Sequence, residues 1–147
     1  MTTSTTATIT RHLQGEGRPL DAGMVGGAVR RWLQLEGLAA FAAGLVLYAM
    51  AGGTWLVILP LLLVPDASMI GYLRGPRAGA FVYNLVHTWA AGIVVLGLAV
   101  VTGSAALQIA GAVLIAHVGM DRALGYGLKL PTAFGDTHLG RIGRPNA

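Results

Sequence analysis

The sequence predicts an all-α fold: an antiparallel bundle of four transmembrane helices with both termini on the cytoplasmic side. Three observations predict it. Of 147 residues, 54% are hydrophobic and only 11% charged, with mean hydropathy +0.66, where a soluble domain carries roughly a quarter charged residues. No Asp, Glu, Lys or Arg occurs from Gly37 to Pro65 or from Ala78 to Met120, stretches that a compact soluble fold of this size cannot hide from water. The basic residues gather in three places, and the turns between those places carry none.

A spanning helix takes about 20 mostly apolar residues at 1.5 Å each, and small turn-forming breaks divide the apolar runs into four such units. The first span runs from about Trp32 to Met50 and stops at Gly52-Gly53. The second, from about Thr54 to Leu73, ends at Arg74-Gly75-Pro76-Arg77 and contains Pro60 and Pro65. Each proline removes one backbone donor and frees a carbonyl about a turn earlier, so a kink or break is expected there, with Asp66 opening the returning segment. The third span runs from about Ala80 to Val101 and breaks at Thr102-Gly103, and the fourth leaves the membrane near Arg122. Long runs without apolar/polar alternation disfavour strands.

Orientation follows from charge. Arg30 and Arg31 precede the first span, Arg74 and Arg77 separate the second from the third, and Arg122, Lys129, Arg141 and Arg144 follow the fourth. Basic residues stay on the cytoplasmic side, so both termini and the middle turn face the cytoplasm, and the expected location is the cell membrane, multi-pass. The domain division is then a flexible arm over residues 1–28, a membrane domain over 29–125 and an interfacial or cytoplasmic tail over 126–147. The Thr- and Gly-rich start has no apolar run behind basic residues and does not read as a cleaved signal peptide.

Bulk composition narrows the function. Net charge is +4 and the pI about 10.1, but no basic run interleaved with aromatics supports nucleic-acid binding. With no cysteine, disulfides, thiolate nucleophiles and sulfur-ligated metals are excluded. Small residues four apart, Ala40 with Gly44, Ala106 with Ala110 and Ala112 with Ala116, allow close helix approach in lipid. Packing within one chain is the preferred reading, and a homo-oligomer seam the alternative.

Ionisable groups inside a bilayer are costly unless paired, so each needs an account. Glu36 lies about a turn inside the first span and Asp66 about two turns before Arg74. Asn84 and His87 lie three apart in the third span, and His117 and Asp121 four apart in the fourth, each pair on one helix face. Tyr72 and Tyr83 lie near the same boundary. All four helices thus bring polar groups to the cytoplasmic half, while the outer half offers only Thr54, Trp55, Thr102, Ser104 and Gln108. A pocket open to the cytoplasm with an apolar floor fits this better than a channel. Structural readings stand beside it: Glu36 pairing with Arg30 or Arg31, Asp66 capping a helix, His117–Asp121 as an orienting bond and Arg122 as an interfacial anchor.

Three chemistries suit such a cluster. His87 or His117 can shuttle protons with Asp66 or Asp121 tuning it. The two histidines and a carboxylate can bind a divalent metal such as zinc. A polar knot can simply fix helix register. The Glu-x-x-His pairs of di-iron bundles are absent. After the fourth span, Gly125 and Gly127 signal turns while Leu128, Leu130, Phe134, Leu139 and Ile142 need apolar contacts. The tail is therefore expected to lie across the mouth, with Tyr126 beside it and Asp136 and His138 facing the pocket as a lid.

The segments Pro65-Asp66-Ala67-Ser68-Met69, Ala80 to Thr88, His117 to Lys129 and Phe134 to Gly143 resemble the family called domain of unknown function 4260, which comprises small bacterial membrane proteins. The resemblance covers roughly residues 30–143, and implies the four-span fold but no activity. The expected function is acid–base or metal-assisted chemistry on, or binding of, a lipid or isoprenoid-like molecule. His87, His117, Asp66 and Asp121 form the reactive set. Asn84, Tyr83, Glu36, Tyr126, Asp136 and His138 form the binding set, with membrane lipid as partner. A proton-coupled transporter and a non-catalytic assembly partner are the alternatives.

Overall fold

The computed structural model describes Val25 and residues 27–142. The expected arm over residues 1–28 lies outside them except for Val25, Gly27 and Ala28, and so does Gly143 of the tail motif. The described chain is all-α apart from a small hairpin. Helix α1 spans Gly27–Met50. A 3-10 turn, Trp55–Val57, leads into the short α2, Ile58–Leu63, and a ten-residue 3-10 segment, Pro65–Arg74. Helices α3 (Pro76–Val86), α4 (Trp89–Thr102) and α5 (Ala105–Leu124) follow. Strands β1 (Asp136–Thr137) and β2 (Gly140–Arg141) pair antiparallel in the tail.

Among the described residues, α1, the unit Trp55–Arg74 and α5 are each long and apolar enough to cross a membrane. Helices α3 and α4 reach that length only together, across a 40° bend. This corrects the expectation of an unbroken third span over Ala80 to Val101. The break falls at His87-Thr88, where no proline or glycine marks it. Thr88 explains the restart, because its hydroxyl accepts from Ala91 N at 3.3 Å as an N-cap. The proline expectation holds in the second unit, where Pro65 opens the switch from α to 3-10 winding.

Helix α5 is the hub, packed by α1 along one side and α4 along another. The α1–α5 seam is built on small residues. A Cβ on Gly44 would lie 2.5 Å from Ala116 N, and one on Gly119 would run into Phe41 N and lie 2.8 Å from Gly37 O. Ala112 and Ala116 are fully buried there, with Tyr48, Ile58 and Leu62 completing the core. The small-residue pair Ala112/Ala116 thus serves packing within the chain, whereas Ala106 and Ala110 border an apolar groove of about 650 Å³. Many large apolar side chains on the other faces are exposed, among them Trp32, Leu56, Phe81 and Val100, as a lipid-facing surface would be.

Candidate functional site

The site begins with carbonyls that the helices cannot satisfy. In the 3-10 pattern the donor for Leu62 O would be the Pro65 nitrogen, which carries no hydrogen. His117 Nδ1 takes that carbonyl instead. On the other side, His87 ends α3, and its Nδ1 lies 2.9 Å from Tyr83 O, one turn back. The break after His87 also frees its own carbonyl, which accepts from Arg122 Nη2 at 3.0 Å. A carbonyl only accepts, so each histidine places its hydrogen on Nδ1, and the neutral ring then presents a lone pair on Nε2.

Those two Nε2 atoms face each other at 2.9 Å, and both rings are completely buried. Asp66 Oδ1 lies 3.5 Å from His87 Nε2 and 3.7 Å from His117 Nε2. Asp121 Oδ2 lies 3.9 and 3.8 Å from the same two atoms. Each imidazole Nε2 thus has one carboxylate oxygen of Asp66 and one of Asp121 within 3.9 Å. Tyr83 donates its hydroxyl to Asp121 Oδ2 at 2.8 Å and stacks on the His87 ring, with centroids 3.6 Å apart. Asp66, His87 and His117 are together close enough to hold a metal ion.

A cavity of about 280 Å³ opens onto this cluster, with Asp66, Asp121 and Tyr83 on the bundle side and Tyr126, Lys129, Phe134 and Ile142 on the tail side. The tail is held down by backbone pairing. Asn84 both donates to Lys129 O at 2.9 Å and accepts from Lys129 N at 2.7 Å. Residues 128–130 pair with the strand at Thr137, and Val25 N adds a bond to His138 O at 2.6 Å. Lys129 is buried, its Nζ 2.9 Å from Phe134 O and 4.2 Å from the Phe134 ring centroid. Burial pushes the Lys129 ammonium below its ordinary value, while Asp121 and Asp66 pull it back.

The sequence-named residues thus fall into three groups. Asp66, His87, His117, Asp121 and Tyr83 converge. Asn84 and Tyr126 stand beside them, Asn84 as the clasp of the tail. Glu36 is exposed on α1, away from the cluster. Asp136 is knitted into the hairpin by Thr132 Oγ1 at 2.7 Å and Arg141 Nε at 2.8 Å, and His138 Nδ1 accepts from Leu128 N at 2.8 Å. Two residues that the sequence did not single out for the site matter here: Arg122, which ties His87 O to Tyr126 O, and Lys129. Their only sequence signal was a positive charge close behind the last span, which reads as an anchor.

His138 makes the tail sensitive to acid. Burial, then the Arg122 charge, hold its pKa below the ordinary 6.5, and its Nδ1 accepts from Leu128 N in the docked tail. A pKa lowered on docking stabilises the docked tail fully above pH 6.5, and that stabilisation is lost as pH falls through the window below 6.5. Proteolysis within residues 126–142 should therefore accelerate between pH 7.5 and about 5 in the wild type. His138→Gln, which cannot titrate, should flatten the profile; an unchanged pH dependence in that variant removes His138 as the cause.

The described residues thus form a mostly helical chain with three helices, or four counting the bent pair, long and apolar enough to cross a membrane, and with a buried His/Asp cluster beneath a docked tail. It is a member of the family described as Domain of unknown function (DUF4260), whose family model matches residues 30–142. No curated protein and no solved structure matches the chain.

Proposed function

We propose that this is a four-span protein of the cell membrane, termini cytoplasmic, in which Asp66, His87 and His117 hold one divalent ion of zinc type, with Asp121 beside it and the fourth position open. On this reading it carries out metal-assisted acid–base chemistry on an amphiphilic molecule reached through the cavity under the tail. One observation carries the metal assignment: the Asp66 carboxylate and the Nε2 atoms of two buried histidines, whose Nδ1 atoms already meet carbonyls, lie close enough together to share one ion. A single proton satisfies one acceptor pair, whereas a cation satisfies all three. Zinc bonds of about 2.0–2.2 Å set tetrahedral donors about 3.3–3.6 Å apart, and the separations among these three donors run from 2.9 to 3.7 Å. The surroundings are those of metal ligands, each histidine donating its other nitrogen to a carbonyl and Asp121 accepting from a tyrosine.

When bound, such an ion supplies Lewis acidity toward a phosphoryl or carbonyl oxygen. The chain's own groups do the rest. The Asp121 carboxylate faces the cavity and can take up a proton there, and Tyr83 OH holds it in place beneath the docked tail. Metal analysis tests the reading. Protein purified in detergent, stripped with chelator, reloaded with zinc and dialysed should retain about one zinc per chain. No retention of zinc, cobalt or manganese overturns it. The 2.9 Å Nε2–Nε2 separation favours one second reading, a shared proton serving a proton-coupled carrier, which predicts pH-driven flux in liposomes without metal.

A further inference from the structure

The cavity under the tail has a charge pattern that names its ligand. Its charged lining consists of Asp66 and Asp121 on one side and Lys129 on the other. Lys129 is 4% exposed, which is rare for lysine unless its charge is answered. Among the described residues its Nζ donates to Phe134 O, and an ammonium with three donors has hydrogens left for the cavity. Arg122 lies behind the lining with its guanidinium on the carbonyls of His87 and Tyr126; those bonds leave its charge unneutralised, so it adds to the positive field. A divalent ion in the cluster would cancel both carboxylates, leaving the Lys129 ammonium as the charge that a ligand meets. Met69, Phe134 and Ile142 supply apolar wall, and Tyr83 and Tyr126 complete the lining.

From this arrangement we infer that the cavity seats a phosphodiester monoanion, one oxygen on Lys129 Nζ and another toward the metal cluster, with its ester carbons against Met69, Phe134 and Ile142. The inference rests on the metal reading above, since without the ion two carboxylates would repel the anion. A phosphodiester suits the site on three counts: its single charge matches the single cation of the lining, its two free oxygens can meet Lys129 and the cluster together, and its flanking carbons match the apolar walls. About 280 Å³ admits a headgroup with short chains, not a whole lipid. The source is either the headgroup of a membrane lipid or a soluble phosphodiester.

The test uses the full-length protein loaded with cobalt, whose visible spectrum reports what approaches the metal, together with calorimetry on the zinc form. Dibutyl phosphate should bind and shift the cobalt spectrum. Its affinity should fall at least 10-fold in Lys129→Met, and as far in the zinc-free wild type, while Lys129→Arg keeps most of it. Since Lys129→Met could also loosen the tail, Ile142→Trp provides a second arm that fills the cavity and leaves every charge in place, and it should block binding at unchanged cobalt content. Dihexanoyl phosphatidylglycerol binding 10-fold tighter than dibutyl phosphate would identify the lipid source, and equal affinity the soluble one; both support the proposal. A metal-loaded protein that binds neither, that binds hexanoate instead, or that binds both undiminished in Lys129→Met and Ile142→Trp overturns it. Failure of the metal to load would be seen first, in the metal analysis, and strikes the earlier reading.

Discussion

His117→Ala is expected to lower zinc affinity by more than about 100-fold, beyond the 10–100-fold that loss of an outer-shell partner brings. The substitution removes a ligand whose Nε2 sits 2.9 Å from its neighbour's, and strips the cap from Leu62 O. The second effect makes the variant less stable even without metal, by about 1–3 kcal/mol for one buried orphan carbonyl. Zinc titration separates the two. Saturation at 100 times Kd stabilises a protein that binds metal only when folded by about 2.7 kcal/mol, so wild-type melting temperature should rise with zinc and the variant's should not. Tyr83→Phe, which removes only the hydroxyl on Asp121, should fall between them at about 10–100-fold weaker binding. Equal zinc stabilisation in wild type and His117→Ala would show that the cluster is a structural knot.

The cluster was legible in the sequence because membrane-depth polar groups are few and each demands a partner. His117 and Asp121, four apart on one helix, announce a shared face, and Pro65 announces a freed carbonyl without saying which side chain takes it. Asn84 and His87, three apart, read as one face with one task, yet the helix break turns His87 into the cluster and leaves Asn84 to clasp Lys129. That break was hidden because no charged residue or proline interrupts the run from Ala80 to Val101, and a lone Thr88 is a weak capping signal beside it. Glu36 shows the opposite limit. Its depth was readable, but whether it faced the pocket depended on the rotation of α1, which Gly37, Phe41 and Gly44 set by packing on α5. Lys129 was unreadable for another reason: its burial comes from strand pairing between residues 128–130 and 136–138, and segments this short and glycine-flanked carry little alternation to read.

Gly119→Leu is expected to be the most damaging substitution away from the ligands. Gly119 lies between His117 and Asp121 on α5, where the α1 backbone at Phe41 and Gly37 leaves no room for even a Cβ. Overpacking of a tight core costs about 1–3 kcal/mol, and here the neighbour is helix backbone, which cannot rotate aside, so the top of that range applies. In lipid the loss is not offset elsewhere, because helix association rests on close packing rather than on burial of apolar surface from water. The displaced α1 would also tilt α5, and a shift of about 1 Å is enough to spoil a preorganised constellation. The variant should therefore melt well below wild type in detergent and bind zinc more weakly, although no ligand has been touched. Gly97→Leu is the matched control, since Gly97 is exposed on α4 and a Cβ there meets nothing within 4 Å; its effect should stay within about 0.5 kcal/mol. If Gly119→Leu behaves like Gly97→Leu, the α1–α5 seam does not set the position of the cluster, and the register of His117 and Asp121 must be held by the tail and the Pro65–Arg74 segment instead.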